Sequence, residues 1–186
     1  LPITAQFTLL NIFNKIWTSD FFPTSWHKAT IIPLPKPGKD DNDPNNYRPI
    51  ALTSCICKTM ERMVNDRLVW FLEKEQILSQ SQSGFRKRRS TVDQLIKLET
   101  LVRESFIQGH HGVAVFFDLE KAYDITWKYG IMKDLHSAGL RGRLPEFISG
   151  FLNDRHFRVR IGALLSDEFE QEMGVPQGCI LSVTLF

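Results

Sequence analysis

From Phe7 to Trp17 apolar residues return every three or four positions: Phe7, Leu10, Phe13 and Trp17, with Leu9, Ile12 and Ile16 beside them. That is the period of a helix with one apolar face. The pattern breaks in "FPTSWHKATIIPLPKPGKDDNDPNNYRPI", where six prolines and scattered Asn, Asp and Gly predict a loop around one short strand near Ala29–Leu34. Helical spacing resumes over Cys55–Leu78, with Met60, Val64, Leu68, Phe71 and Leu72 on the buried side. "SQSGFRKRR" reads as a loop, and Ser90-x-x-Asp93 resembles a capping box for a helix from Thr91 to about Gln108.

The second half of the chain shortens its elements. Five consecutive apolar residues, Val113–Phe117, predict a strand that runs into Asp118. A helix follows near Trp127–Ala138, closed by Gly139 as a left-handed cap. Pro145 suits the first turn of another helix reaching about Asn153. "HFRVRIG" and "SDEFEQEM" alternate with period two, and "GALL" between them turns a hairpin. There is no internal repeat or low-complexity tract. Helices around a small, mostly antiparallel sheet make an α+β class.

Composition narrows this little. Hydrophobic residues make up 42% and charged residues 24% of 186, enough for a real core. The net charge of +2 neither requires nor excludes a polyanionic partner, but its distribution is uneven. Arg86, Lys87, Arg88 and Arg89 are consecutive; Arg155, His156, Arg158 and Arg160 cluster; Asp167, Glu168, Glu170 and Glu172 lie apart. Either basic run reads equally as a solvated surface. Three cysteines (Cys55, Cys57, Cys179) form no ligand spacing, which speaks against zinc or a disulfide framework and fits a reducing compartment. No membrane span or signal peptide is visible. A start on Leu and an end on "LSVTLF" read as a fragment at both ends.

The chemistry-bearing residues each have a bland reading. Asp118 either caps a helix or pairs with a lysine, or it holds a divalent cation with hard oxygen at a strand end. Tyr123, five residues on, either packs in the core or lies under a nucleotide sugar. In "GVPQGCILS" the glycines around Gln177 allow close backbone approach, or make an ordinary turn into a helix. Lys36 and Arg48 sit on a proline-stiffened loop suited to gripping an anion. The P-loop pattern is absent, which disfavours a kinase or ATPase of that type.

Four blocks then occur in order: "IIPLPKPGKD…NNYRPIALTSCICKTMERMVNDRL", "SQSGFRKRRSTVDQL", "VAVFFDLEKAYDITW" and "GVPQGCILSVTLF". Together they resemble the reverse transcriptase domain of non-LTR, LINE-type retrotransposons, nearest to jockey-like elements, from about Trp26 to the last residue. The resemblance implies a right-hand polymerase, with 1–110 fingers-like and 111–186 an incomplete palm. It implies copying of an RNA template into DNA from a DNA primer and dNTPs, with two Mg²⁺ ions. Asp118 then matches the first metal-binding aspartate, and Leu119 lends a backbone carbonyl. Lys36 and Arg48 match contacts to the triphosphate, Tyr123 the aromatic that rejects ribonucleotides, and Gln177 the lining of the nucleotide pocket. Phe85 and Arg86, Lys87, Arg88 and Arg89 fall in a block that lies near the template, where salt-dependent phosphate contacts are expected.

The departures matter as well. The family's aromatic-x-Asp-Asp hairpin, which brings the second carboxylates, does not occur before Phe186, so this chain alone is expected to be inactive. The rest of the palm and the thumb would come from the same polyprotein. Cys179 and Val183 stand where many relatives have Ser and Pro. The sequence leaves the location open; an intracellular, nuclear one would fit the resemblance. The rival readings are a non-catalytic nucleic-acid-binding remnant and a group II intron maturase-like reverse transcriptase.

Overall fold

Helix α1 (Ile3–Ser19) buries only Phe13 and Ile16, so its first half carries the predicted apolar face exposed. The computed structural model describes residues 1–19 and 21–186. Strand β1 (Lys28–Pro35) is the expected one, but β2 (Tyr47–Leu52) lies where a loop was expected. The two pair antiparallel, with Pro33 opposite Pro49. Neither proline can donate, so they occupy a position of the ladder that needs no N–H from either. The parallel pairing of β1 with β3 (His156–Ile161) stops at Ile31 and Val159, short of Pro33. The prolines therefore cost the sheet little, and counting them as breakers hid a strand.

Helix α2 (Cys55–Lys74) stops four residues before the expected Leu78 and buries Met60, Val64, Leu68 and Leu72. Helix α3 (Thr91–Ile107) opens on the predicted capping box: Asp93 N–H donates to Ser90 Oγ, and Ser90 N–H donates to Asp93 Oδ2 at 2.8 Å. A one-turn helix, α4 (Ala122–Ile125), precedes α5 (Lys128–Ser137), which closes on Gly139 at φ +89°. Helix α6 (Arg143–Leu152) has Pro145 in its first turn as expected. Strands β4 (Leu164–Leu165) and β5 (Phe169–Glu170) both pair with β3, and α7 (Ser182–Leu185) ends the chain. The hairpin turns at Gly162–Ala163, so Leu164 and Leu165 are strand and not turn. Between β4 and β5 the register slips by one residue (160 faces 165, but 157 faces 169), a bulge that lets Glu168 reach Lys28. Among the described residues this makes seven α-helices and a mixed five-stranded sheet of α+β class.

The chain divides into two units, Leu1–Phe71 with Lys121–Phe186, and Leu72–Glu120. The first holds nearly all the buried apolar side chains, including Leu68, Ile148, Phe151, Leu152, Val175 and Leu181. In the second, α3 buries no residue among those described. The strand expected at Val113–Phe117 is not formed. Residues 111–119 have no regular structure, and Val113, Val115, Phe116, Phe117 and Leu119 are exposed. A strand needs a ladder and a covered face. The five strands present pair among themselves, and apolar composition by itself supplies neither.

Candidate functional site

The first and last sequence blocks, and the part of the third from Lys121 to Trp127, meet in the first unit. The β1–β2 hairpin presents Lys36 at one end and Arg48, exposed, opposite Leu34 on β2. Lys36 is half-buried, its N–H donates to Asn46 O at 2.8 Å, and its ammonium donates to Asn45 O at 2.9 Å. Tyr123 lies in α4, half-buried, its ring 5.1 Å from that of Phe186. Its carbonyl accepts from Val175 N–H at 2.8 Å, joining α4 to the segment that carries Gln177. Gln177, also half-buried, accepts at its carbonyl from Ala51 N–H of β2 at 2.7 Å. A third tie comes from Lys121, whose ammonium donates to Asn45 Oδ1 at 2.9 Å. Backbone hydrogen bonds thus stitch the hairpin, the Tyr123 turn and the Gln177 segment into one assembly.

The glycines expected to allow close approach do so against protein backbone. Gly174 has φ +78°, and a Cβ there would fall 2.6 Å from both Tyr123 O and Asp124 O. Gly178 has φ +119°, and its Cβ would fall 2.9 Å from Ala51 O. Both positions need a residue without a side chain on two counts, dihedral and space.

Beneath the Gln177 segment lies a buried polar cluster that pattern reading missed. Glu61, fully buried on α2, accepts from Ile180 N–H at 2.8 Å and Leu181 N–H at 3.3 Å. Its other oxygen accepts from Cys57 Sγ at 3.3 Å. Arg155, 1% exposed, donates to Phe151 O and stacks on the Phe151 ring, while its Nε and Nη2 have no partner. Burial, and then the Glu61 carboxylate, push the Cys57 thiol far above its ordinary range; burial also raises the Cys179 thiol. The one sequence signal was a glutamate on the apolar side of α2, one turn after Cys57.

The basic loop of the second unit is put to a different use than a free phosphate contact. Arg86 is buried, and its guanidinium makes a two-point ion pair with Glu73 at 2.6 and 2.9 Å. It also donates to Ser79 O and Gln82 O. The hydrogen bond from Arg86 holds the Glu73 carboxyl below its usual range. Arg89 is half-buried and donates twice to Gln80. Phe85, Lys87 and Arg88 are exposed, and Phe85 and Arg88 have φ near +60°. Asp118 and Leu119 are exposed within the irregular 111–119 segment of that unit. Asp118 has the oxygen chemistry a hard cation needs. Among the described residues no three His, Cys, Asp or Glu side chains converge around it. No helix described is long and apolar enough to cross a membrane.

The family described as reverse transcriptase (RNA-dependent DNA polymerase) matches residues 34–186, which takes in three of the blocks whole and all but the first three residues of the other. This chain is a reverse transcriptase family member. It is 36% identical to the probable RNA-directed DNA polymerase from transposon BS and 32% identical to that from transposon X-element, both of Drosophila melanogaster. It is 31% identical to the RNA-directed DNA polymerase from mobile element jockey of the same organism. Each match covers the whole chain and 20% of the relative. The chain thus spans a fifth of the length of these transposon polymerases. Reverse transcriptases are nucleotidyltransferases that act on an RNA template and a nucleic-acid primer, and the family generally uses divalent metal ions.

Proposed function

We propose that this chain supplies the nucleotide-binding part of an RNA-directed DNA polymerase from a non-LTR retrotransposon, with residues 1–110 serving as fingers and 111–186 as part of the palm. The observation that carries this reading is the stitching of Lys36, Arg48, Tyr123 and Gln177 into one assembly through Asn45, Val175 and Ala51. In this reading Lys36 and Arg48 take the triphosphate: the ammonium as a compact charge, the guanidinium as a fork matched to phosphate oxygens. Tyr123 lies under the sugar, where a 2′-hydroxyl would meet its ring. Gln177 lines the pocket with an amide that both donates and accepts. Phe85, Lys87 and Arg88 face the template, and Arg86 and Arg89 hold the shape of their loop. Asp118 provides one carboxylate, with the Leu119 carbonyl, to Mg²⁺, whose charge would favour the attacking 3′-oxygen and the leaving pyrophosphate.

Primer extension on an RNA template tests the reading, using the polypeptide translated from the complete reading frame that contains this chain. Asp118→Ala should abolish extension while template binding persists. Tyr123→Ala should extend with ribonucleotides where the parent does not. Undiminished extension by Asp118→Ala, or unchanged sugar selection by Tyr123→Ala, would defeat the assignment. Template binding by the parent without any extension would favour a non-catalytic nucleic-acid-binding remnant.

A further inference from the structure

Lys121 enters the reading above only as a tie to Asn45, yet its placement is unusual. Its ammonium ends on Asn45 Oδ1 at 2.9 Å, and the Lys36 ammonium ends on the carbonyl oxygen of the same Asn45, also at 2.9 Å. One asparagine therefore gathers two cations that are distant in sequence. Asn45 is itself held firmly: its backbone N–H and its Nδ2 both donate to Asp43 Oδ1, at 2.9 and 3.0 Å, on the short 3₁₀ turn Pro44–Asn46. That carboxylate oxygen is engaged in shaping the turn. The oxygens that receive the lysines are neutral amide dipoles, which solvate two like charges less well than an anion would. Lys121 also occupies the left-handed region, φ 53° and ψ 34°, at the N-cap of α4. A residue with a β-carbon seldom adopts that conformation. Tyr123 follows two residues later in α4.

We propose that Lys121 is a third cation of the triphosphate site, held beside Lys36 on Asn45 until a nucleotide arrives and then passed from the amide oxygen to a phosphate oxygen. Asn45 is the positioning residue, and no bond other than hydrogen bonds forms or breaks. A polyphosphate fits better than a nucleic-acid backbone because both ammonium groups converge on one residue. A single polyphosphate chain can meet both, and Tyr123, proposed for the sugar of the same nucleotide, is two positions away. The inference rests on the reading of Lys36 and Arg48 as triphosphate contacts.

The test titrates the 186-residue chain with dTTP and with inorganic tripolyphosphate by calorimetry, for the parent, Lys36→Gln and Lys121→Gln. Loss of one charge-assisted contact should weaken each ligand about tenfold in either variant. Because Lys121 is exposed and its ammonium donates to an exposed amide, Lys121→Gln should do so with little change in thermal midpoint. Lys121→Arg should restore most of the affinity, which a structural role of the left-handed turn would not predict. If Lys36→Gln weakens binding and Lys121→Gln does not, the present inference is overturned and the triphosphate reading stands. If neither variant matters, both fall. A Lys121→Gln defect seen only with a primer–template duplex would reassign Lys121 to the nucleic-acid backbone and overturn the proposal.

Discussion

Replacing Glu61 should loosen the Gln177 segment more than any exchange on its surface. The carboxylate is fully buried and accepts from Ile180 N–H, Leu181 N–H and Cys57 Sγ. In Glu61→Ala two backbone donors lose their acceptor, each at about 1–3 kcal/mol, while the thiol bond is weak and adds little. Burial disfavours the charged form of Arg155, and the Glu61 charge offsets part of that, so Arg155 would also lose a compensating anion. The sum is about 3–5 kcal/mol, the usual cost of removing one side of a buried charged arrangement. For a domain whose whole stability is about 5–15 kcal/mol, that is a large share. It corresponds to a fall of roughly 10 °C in melting temperature for a chain of this size.

Glu61→Gln separates shape from charge. Its amide oxygen can still accept from both N–H groups, and its NH₂ can face the Cys57 sulfur. Only the charge-assisted part is lost, about 1–2 kcal/mol. Urea unfolding gives the two free energies, and amide hydrogen exchange at Ile180 and Leu181 reports the anchor directly. Both amides should exchange faster in Glu61→Ala and stay largely protected in Glu61→Gln. A Glu61→Ala protein within about 0.5 kcal/mol of the parent, or with both amides still protected, would refute the anchoring role.

Gly174→Ala should destabilise by more than the strain of a positive φ, about 1–2 kcal/mol, because its Cβ would strike the Tyr123 and Asp124 carbonyls at 2.6 Å; a urea midpoint equal to the parent's would contradict that geometry. Cys57 and Cys179 should resist iodoacetamide under native conditions while exposed Cys55 reacts. Below the ordinary thiol value of 9.0 the folded and unfolded chains both keep these protons. Above it the unfolded chain releases them and the folded chain does not, so stability should fall as pH rises past 9. Urea midpoints from pH 7 to about 10.5 would show the fall, and a Cys57→Ala, Cys179→Ala double variant should lose that component.

What could be read from the sequence was what local chemistry decides. The capping box at Ser90 and the left-handed Gly139 are satisfied by neighbours a few residues away, so their patterns sufficed. Pro49 of β2 misled because its effect depends on register, and Pro33 facing Pro49 is a fact about two strands at once. Val113–Phe117 misled in the opposite sense: strand composition is present, but the ladder that would make it a strand is not. Long-range pairing is where pattern reading fails, because one strand's sequence does not specify its partner.

The same division runs through the site. Lys36, Arg48, Tyr123 and Gln177 could be proposed from ordered blocks, since each block keeps its own local pattern. Lys121 and Glu61 were not, because their roles arise only when distant segments meet, at Asn45 and at Ile180. Arg86 makes the same point from the other side. Four consecutive basic residues look alike on the page, yet one is buried against Glu73 and its neighbour Arg88 is exposed. A run of like charges cannot all be buried, since each buried cation needs its own acceptors. Glu73, with the Ser79 and Gln82 carbonyls, supplies acceptors for one guanidinium, and Gln80 partly covers Arg89. The charge left for a polyanion is therefore set by the acceptors the loop folds around, and counting basic residues overstates it.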